Sequence, residues 1–200
     1  MKNLIYLIAL LIGITSCRAQ EVVNLNTLNQ GNNENKYFKD LDNNFTPFIG
    51  IWQYQNGNQI FRITLWKVEM VESKNGIKPS YFKDRINGHY EIIEVNTFGE
   101  ETVIKTSNKN IKNSTTPYLP VITGGSIDGT NLGGSILDNT VDDSSRFSAF
   151  GIEGGFTFQI IPSTTPLQAN WSCDIRNSLQ LSDYPTVFSF PNNITLTKME

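Results

Sequence analysis

Leu167-Gln168-Ala169-Asn170-Trp171-Ser172-Cys173-Asp174-Ile175-Arg176 alternates without a break between apolar and polar side chains. A period of two throws successive side chains to opposite faces of an extended chain. The stretch therefore reads as a β-strand that turns Ala169, Trp171, Cys173 and Ile175 to a core. The same alternation precedes it, where Phe156, Phe158 and Ile160 are interleaved with Thr157 and Gln159. It returns after a Pro191-Asn192-Asn193 turn, with Ile194 and Leu196 inward and Thr195 and Thr197 outward.

Towards the N-terminus the signals are turns. Asn56-Gly57, Asn75-Gly76 and Asn87-Gly88 are each the residue pair that a two-residue hairpin loop favours, because both positions need positive φ. The first is expected to join a strand over Gly50–Gln55 to a long one over Gln59–Glu72, and the third to join Tyr81–Ile86 to His89–Val95. In the long run Phe61, Ile63 and Leu65 share one face, whereas Trp66, Val68 and Met70 share the other. That swap predicts a bulge. It either keeps both halves on one core or leaves Trp66 exposed as a ligand-binding residue.

Eight of the fifteen glycines lie between Gly124 and Gly155, so long loops with short strands are expected there, and loops are where function concentrates. No stretch after residue 20 carries a sustained 3.6-residue period. The fold class expected is all-β with little helix, an antiparallel meander forming either a barrel or a sandwich.

The first residues have a different layout. One charge at Lys2 is followed by an apolar run from Leu4 to Thr15, too short for the ~20 residues a membrane-crossing helix needs, so residues 1–16 read as a signal peptide. Residues 17–44 are polar and Asn-rich and read as a tether, with Tyr37-Phe38 able to dock onto the fold. A single β domain is expected over 45–200.

Composition narrows the function. With 16 basic against 19 acidic residues, a formal charge of -3, the chain has no electrostatic footprint for nucleic acid. One His and two Cys cannot make a structural zinc site, and no glycine cluster leads into a phosphate loop, so no cofactor is expected. His89 has no Gly-x-Ser-x-Gly elbow to serve. Asp138-Asn139-Thr140-Val141-Asp142-Asp143 spaces oxygen donors at alternate positions, which makes Asp138 and Asp142 candidate calcium ligands. The glycine and glutamate of a helical calcium hand are absent, and a solvated acidic loop is the competing reading.

Three resemblances add to this. Ile14-Thr15-Ser16-Cys17 resembles the lipobox of bacterial lipoproteins, with Ile14 where Leu is usual. The resemblance implies lipidation of Cys17, cleavage before it and acylation of the new amino terminus, palmitate being the acyl group expected. Ordinary secretory cleavage before Gln20 is the alternative and would give a secreted or periplasmic soluble protein. Phe48-Ile49-Gly50-Ile51-Trp52 resembles the Gly-x-Trp start of lipocalin-type barrels, which implies that Trp52 closes one end of an eight-stranded barrel; Ser182-Asp183-Tyr184 echoes a second motif of that family. The whole layout resembles small lipoproteins of the Bacteroidota cell envelope in a domain family of unknown function. The residues carrying that likeness are the lipobox, the Gly50–Phe61 hairpin, Asn87-Gly88-His89-Tyr90 and the ending from Pro191 to Lys198.

The function expected is therefore a non-enzymatic envelope lipoprotein, held to the membrane by its N-terminal lipid. Arg18 is not the Asp that retains such proteins at the inner membrane, so the outer membrane is the expected place. Its β domain would bind a small ligand or an envelope partner. The alternatives are a hydrolase using loop carboxylates, acting on carbohydrate or another substrate, and a purely structural envelope component.

Overall fold

The computed structural model describes residues 20–28, 30–75, 78–108, 120–141, 151–176 and 187–199. Within them the chain forms β1 (Glu21–Asn24), a 3-10 turn (Leu25–Thr27), β2 (Lys36–Lys39), β3 (Gly50–Asn56), β4 (Gln59–Asn75) and β5 (Lys78–Val95). There follow β6 (Glu101–Thr106), β7 (Ile122–Gly125), β8 (Asn131–Asp138), β9 (Ile152–Ile161), β10 (Gln168–Ile175) and β11 (Ile194–Lys198). Cys17, Asp142 and Ser182-Asp183-Tyr184 lie outside the described residues.

The protein is all-β and its sheet closes on itself. From β3 the ring runs through β4, β5, β7, β8, β9, β10 and β11 and back to β3, and every junction is antiparallel. Between a barrel and a sandwich, the chain adopts the barrel, eight strands round. Two short contacts seal it. Thr197 and Lys198 pair with Gln53 and Trp52, and Ile86–Gly88 pairs with Ile122–Gly124. Closure removes the unpaired edges that an open sheet would expose.

β5 is the strand that organises the barrel. One edge follows β4 along its length, while the other carries β2 at Phe82 and Lys83, β7 at Ile86–Gly88 and β6 at Glu91–Val95. Asn87-Gly88, expected to be a hairpin turn, is thus the middle of a continuous strand. The glycine serves approach, not φ. A Cβ on Gly88 would stand 2.5 Å from Leu65 Cδ2 and 2.8 Å from the Thr64 carbonyl oxygen, so only a residue without one lets β4, β5 and β7 come together. The chain does turn between β3 and β4, but the two loop residues are Gly57, at φ +60°, and Asn58, because Asn56 still pairs with Gln59 as the last residue of β3; Asn75 pairs with Lys78 at the head of the second hairpin.

The bulge expected in β4 is present, but it lies beyond Trp66. Register shifts between Val68 and Val71, where Met70 has φ +56°. Up to that point the strand keeps strict alternation, so Phe61, Ile63 and Leu65 fill the interior and Trp66 stands on the outer face.

The glycine-rich span is more regular than its composition suggests. Among its described residues it supplies the end of β7, all of β8 and the start of β9, paired residue for residue. Its inward glycines make room for rings: a Cβ on Gly124 or Gly134 would meet Phe156 at 2.9 Å, and one on Gly154 would meet Phe188 at 2.5 Å.

The interior is a column of aromatic side chains. Trp52 meets Phe158 edge-on at 4.8 Å, Phe156 stacks on Trp171 at 5.2 Å, and Phe61 lies parallel to Phe190 at 5.5 Å. Such pairs add to the burial of their own apolar surface. Trp52 is fully buried at one end of this column, donates its indole N–H to the Phe48 carbonyl at 2.8 Å, and carries the Lys198 ammonium over its ring at 5.5 Å. The fold also begins earlier than Phe45. β1 and β2 join the sheet in parallel through Phe82 and Lys83, and Leu25 and Phe38 bury themselves in the same core as the barrel. Burial of these two side chains and the backbone pairing of β2 with β5 tie the polar segment to the barrel.

Candidate functional site

Where β2 and β7 part from the same edge of β5, Asp84 and Arg85 are left between them, and a cleft of about 510 Å³ opens there. One wall is the 3-10 turn with Leu25, Asn26 and Leu28. The other is β7 and its following turn, Thr123 to Ile127. Gly133, Gly134 and Ser135 of β8 complete it. The turn after β7 is rigidly built, because the Asp128 carboxylate accepts from the backbone N–H groups of Thr130 and Asn131 and from the Asn131 amide. These bonds hold the Asp128 carboxyl far below the usual carboxylate range. Floor positions Gly125 and Gly133 are open: a Cβ on the first meets nothing within 4 Å, and one on the second only the Phe156 carbonyl oxygen at 3.7 Å. A smaller hollow of about 160 Å³ adjoins it through Thr123 and Ser135 and brings in Glu153 and Arg176, whose guanidinium donates to Ser135 Oγ at 3.2 Å.

The electrostatics of the cleft are one-sided. Alternation along β5 turns Asp84 inward and Lys83 and Arg85 outward. Asp84 accepts from the Tyr37 phenol at 2.5 Å, the Asp40 N–H at 3.0 Å and the Met70 N–H at 3.2 Å, and it pairs with Lys67 at 3.0 Å. Burial by itself would raise its pKa, but these donors outweigh burial and hold the carboxyl below its ordinary value. Asp84 is therefore spent on the fold. Among the described residues Arg85 has no such partner. Its Nε is buried without a hydrogen bond, and burial pulls the guanidinium pKa below its usual value.

The residues singled out from sequence fall elsewhere. Trp66 lies on the outer face of β4, half-buried, with its ring 5.3 Å from that of His89, and it lines neither hollow. Asp138 is completely buried at the far end of β8, where its oxygens take the Tyr90 phenol, the Ser189 N–H and hydroxyl and the Thr140 N–H and hydroxyl. Among the described residues no group of three or more His, Cys, Asp or Glu is placed to hold a metal ion. Among the described residues the nearest approach to a nucleophile and base is Ser107 Oγ, 3.4 Å from His89 Nδ1. Ser107 is buried and its Oγ already accepts the Tyr90 N–H at 2.8 Å, so it presents nothing to a substrate.

Lys83 and Arg85 belong to no motif, so spacing in the sequence does not single them out. The available signal was Asp84 itself: a charged residue at an inward position of a strand needs a buried partner, and it marks the outward neighbours as a set.

The chain belongs to a family described as of unknown function, DUF6705, whose profile matches residues 1–199. No curated protein and no solved structure matches it.

Proposed function

We propose that this family member is a non-enzymatic, lipid-anchored protein of the bacterial cell envelope whose barrel presents a small-ligand or partner site on its outer wall. The observation that carries the binding role is the contrast between a ring-filled interior and an open cleft of about 510 Å³, a size usual for small-molecule sites. The anchoring role rests on Ile14-Thr15-Ser16-Cys17. Absence of catalysis is supported by the state of the groups near at hand: Asp84 is bound by four donors, and Ser107 is buried.

Two experiments test it. Wild type and Cys17→Ala are expressed in a bacterial host, fractionated and labelled with palmitate; only the wild type should label and sediment with membranes, and equal solubility without label would remove the anchor. For the cleft, Gly125→Leu fills the floor without touching the core. Against a thermal-shift panel of glycans, fatty acids and calcium, a compound that stabilises the wild type should lose its effect on Gly125→Leu. A stabilising compound that acts equally on both would move the site elsewhere.

A further inference from the structure

We infer that the cleft between the 3-10 turn and β7 recognises a hydroxylated oxyanion, a sugar acid by class, through Arg85 and Lys83 of β5. The inference rests on the cleft being the binding site and names the chemistry it takes.

Four observations support it. The two cations stand two residues apart on the same face of a strand, a separation of about 7 Å, and both line the cleft. No carboxylate among the described residues pairs with either, and the one acid on the cleft wall, Asp84, is turned inward to Tyr37 and Lys67. Arg85 and Asn26 line opposite walls, and Arg85 Nε and Asn26 Oδ1, both covered, have no hydrogen-bond partner among the described residues, so neither side chain is fully committed to the fold. A cationic pair on one wall and an amide on the other suit a ligand that carries a negative charge together with hydroxyl groups. The rest of the lining matches such a molecule: Thr123 and Ser135 offer hydroxyls, the open glycines Gly125 and Gly133 let a pyranose ring approach the main chain, and Leu28 and Ile127 give apolar contact for its C–H face.

A guanidinium that is half-buried and unpaired works against the fold. Arg85→Met should therefore leave the melting temperature unchanged or raise it, which separates a binding role from a structural one. The binding test is calorimetry on the purified full chain with digalacturonate, the neutral disaccharide cellobiose and inorganic phosphate as probes. Digalacturonate should bind at least about tenfold more tightly than cellobiose, and Arg85→Met should erase that difference while Arg85→Lys restores part of it. Phosphate should compete weakly, and affinity should fall as salt is raised. Equal binding of cellobiose, an unchanged ratio in Arg85→Met, phosphate binding as tightly as digalacturonate, or no digalacturonate binding would each overturn the inference. If digalacturonate fails while another compound loses its effect on Gly125→Leu, the cleft stands as a site and its assigned chemistry does not. If no compound depends on Gly125, the site itself falls.

Discussion

Tyr90 and Asp138 meet at 2.5 Å, phenol to carboxylate, and neither side chain reaches solvent. The pair joins β5 to β8 across the barrel, and Ser189 and Thr140 complete the carboxylate's bonding at 2.6 to 3.2 Å. Burial, first, and the Asp138 charge beside it push the Tyr90 phenol well above its usual pKa. Tyr90→Phe should lose about 1.5–3 kcal/mol, the worth of one hydrogen bond to a charged group. Asp138→Leu, which strands several donors at once, should lose more. Urea unfolding of both variants measures this, and calcium added to the wild type should leave its midpoint unchanged, since an ion at Asp138 would have to displace these donors.

The opposite end of β5 carries the pH dependence. Asp84 has a folded-state pKa held below that of the unfolded chain, by bonds from Tyr37, Asp40, Met70 and Lys67 that outweigh the cost of burial. A depressed carboxyl pKa contributes stability that is complete above the unfolded value, about 4, and is lost as pH falls through the lower folded value. The melting temperature should thus decline steeply below about pH 4. Asp84→Asn should flatten that decline and cost about 3 kcal/mol at neutral pH, because it breaks a buried pair. An acid limb of the same steepness in Asp84→Asn would locate the titration elsewhere.

Gly88 sets the spacing of three strands. Gly88→Ala should destabilise by about 1–3 kcal/mol, since its Cβ would press on the Thr64 carbonyl and the Leu65 side chain. Gly125→Ala, on an open outer face, is the matching control and should be neutral. The comparison is read from denaturant midpoints. Equal effects would mean that close approach is not why β5 carries a glycine there.

Much of the barrel was written in its alternating strands. Trp171 and Cys173 point inward as their period requires, and Cys173 pairs with Phe156 on the neighbouring strand. Alternation is local, so it survives translation into sequence. Glycine is ambiguous in a way alternation is not. It marks a turn at Gly57, a close approach at Gly88, a seat for the Phe156 ring at Gly124, and an open floor at Gly125. Only the neighbours in space distinguish these uses, which is why Asn87-Gly88 reads as a hairpin turn in sequence but lies within a strand, and why the span from Gly124 to Gly155 reads as longer loops with shorter strands than the structure has. The cleft was illegible for the same reason, since it exists where β2 and β7, far apart in sequence, leave β5 together.

Cys173 tests the register directly. Burial, and then the neighbouring Asp174, push its thiol pKa well above the ordinary value, and Asn192 binds both its N–H, at 2.6 Å, and its carbonyl, at 2.7 Å. The native protein should resist a thiol reagent and react fully once denatured. Rapid labelling of the native state would displace β10 by one residue.

The central claim is that this barrel binds on its wall and not in its bore. The direct measurement is amide and indole shift mapping of nitrogen-labelled protein, titrated with whichever compound gives the largest thermal shift. Changes should be concentrated at Thr123–Ile127, Gly133–Ser135 and Arg85, with the indole signals of Trp52 and Trp171 unmoved. Shifts centred on Trp52, Phe158 and Trp171, with the cleft silent, would contradict it.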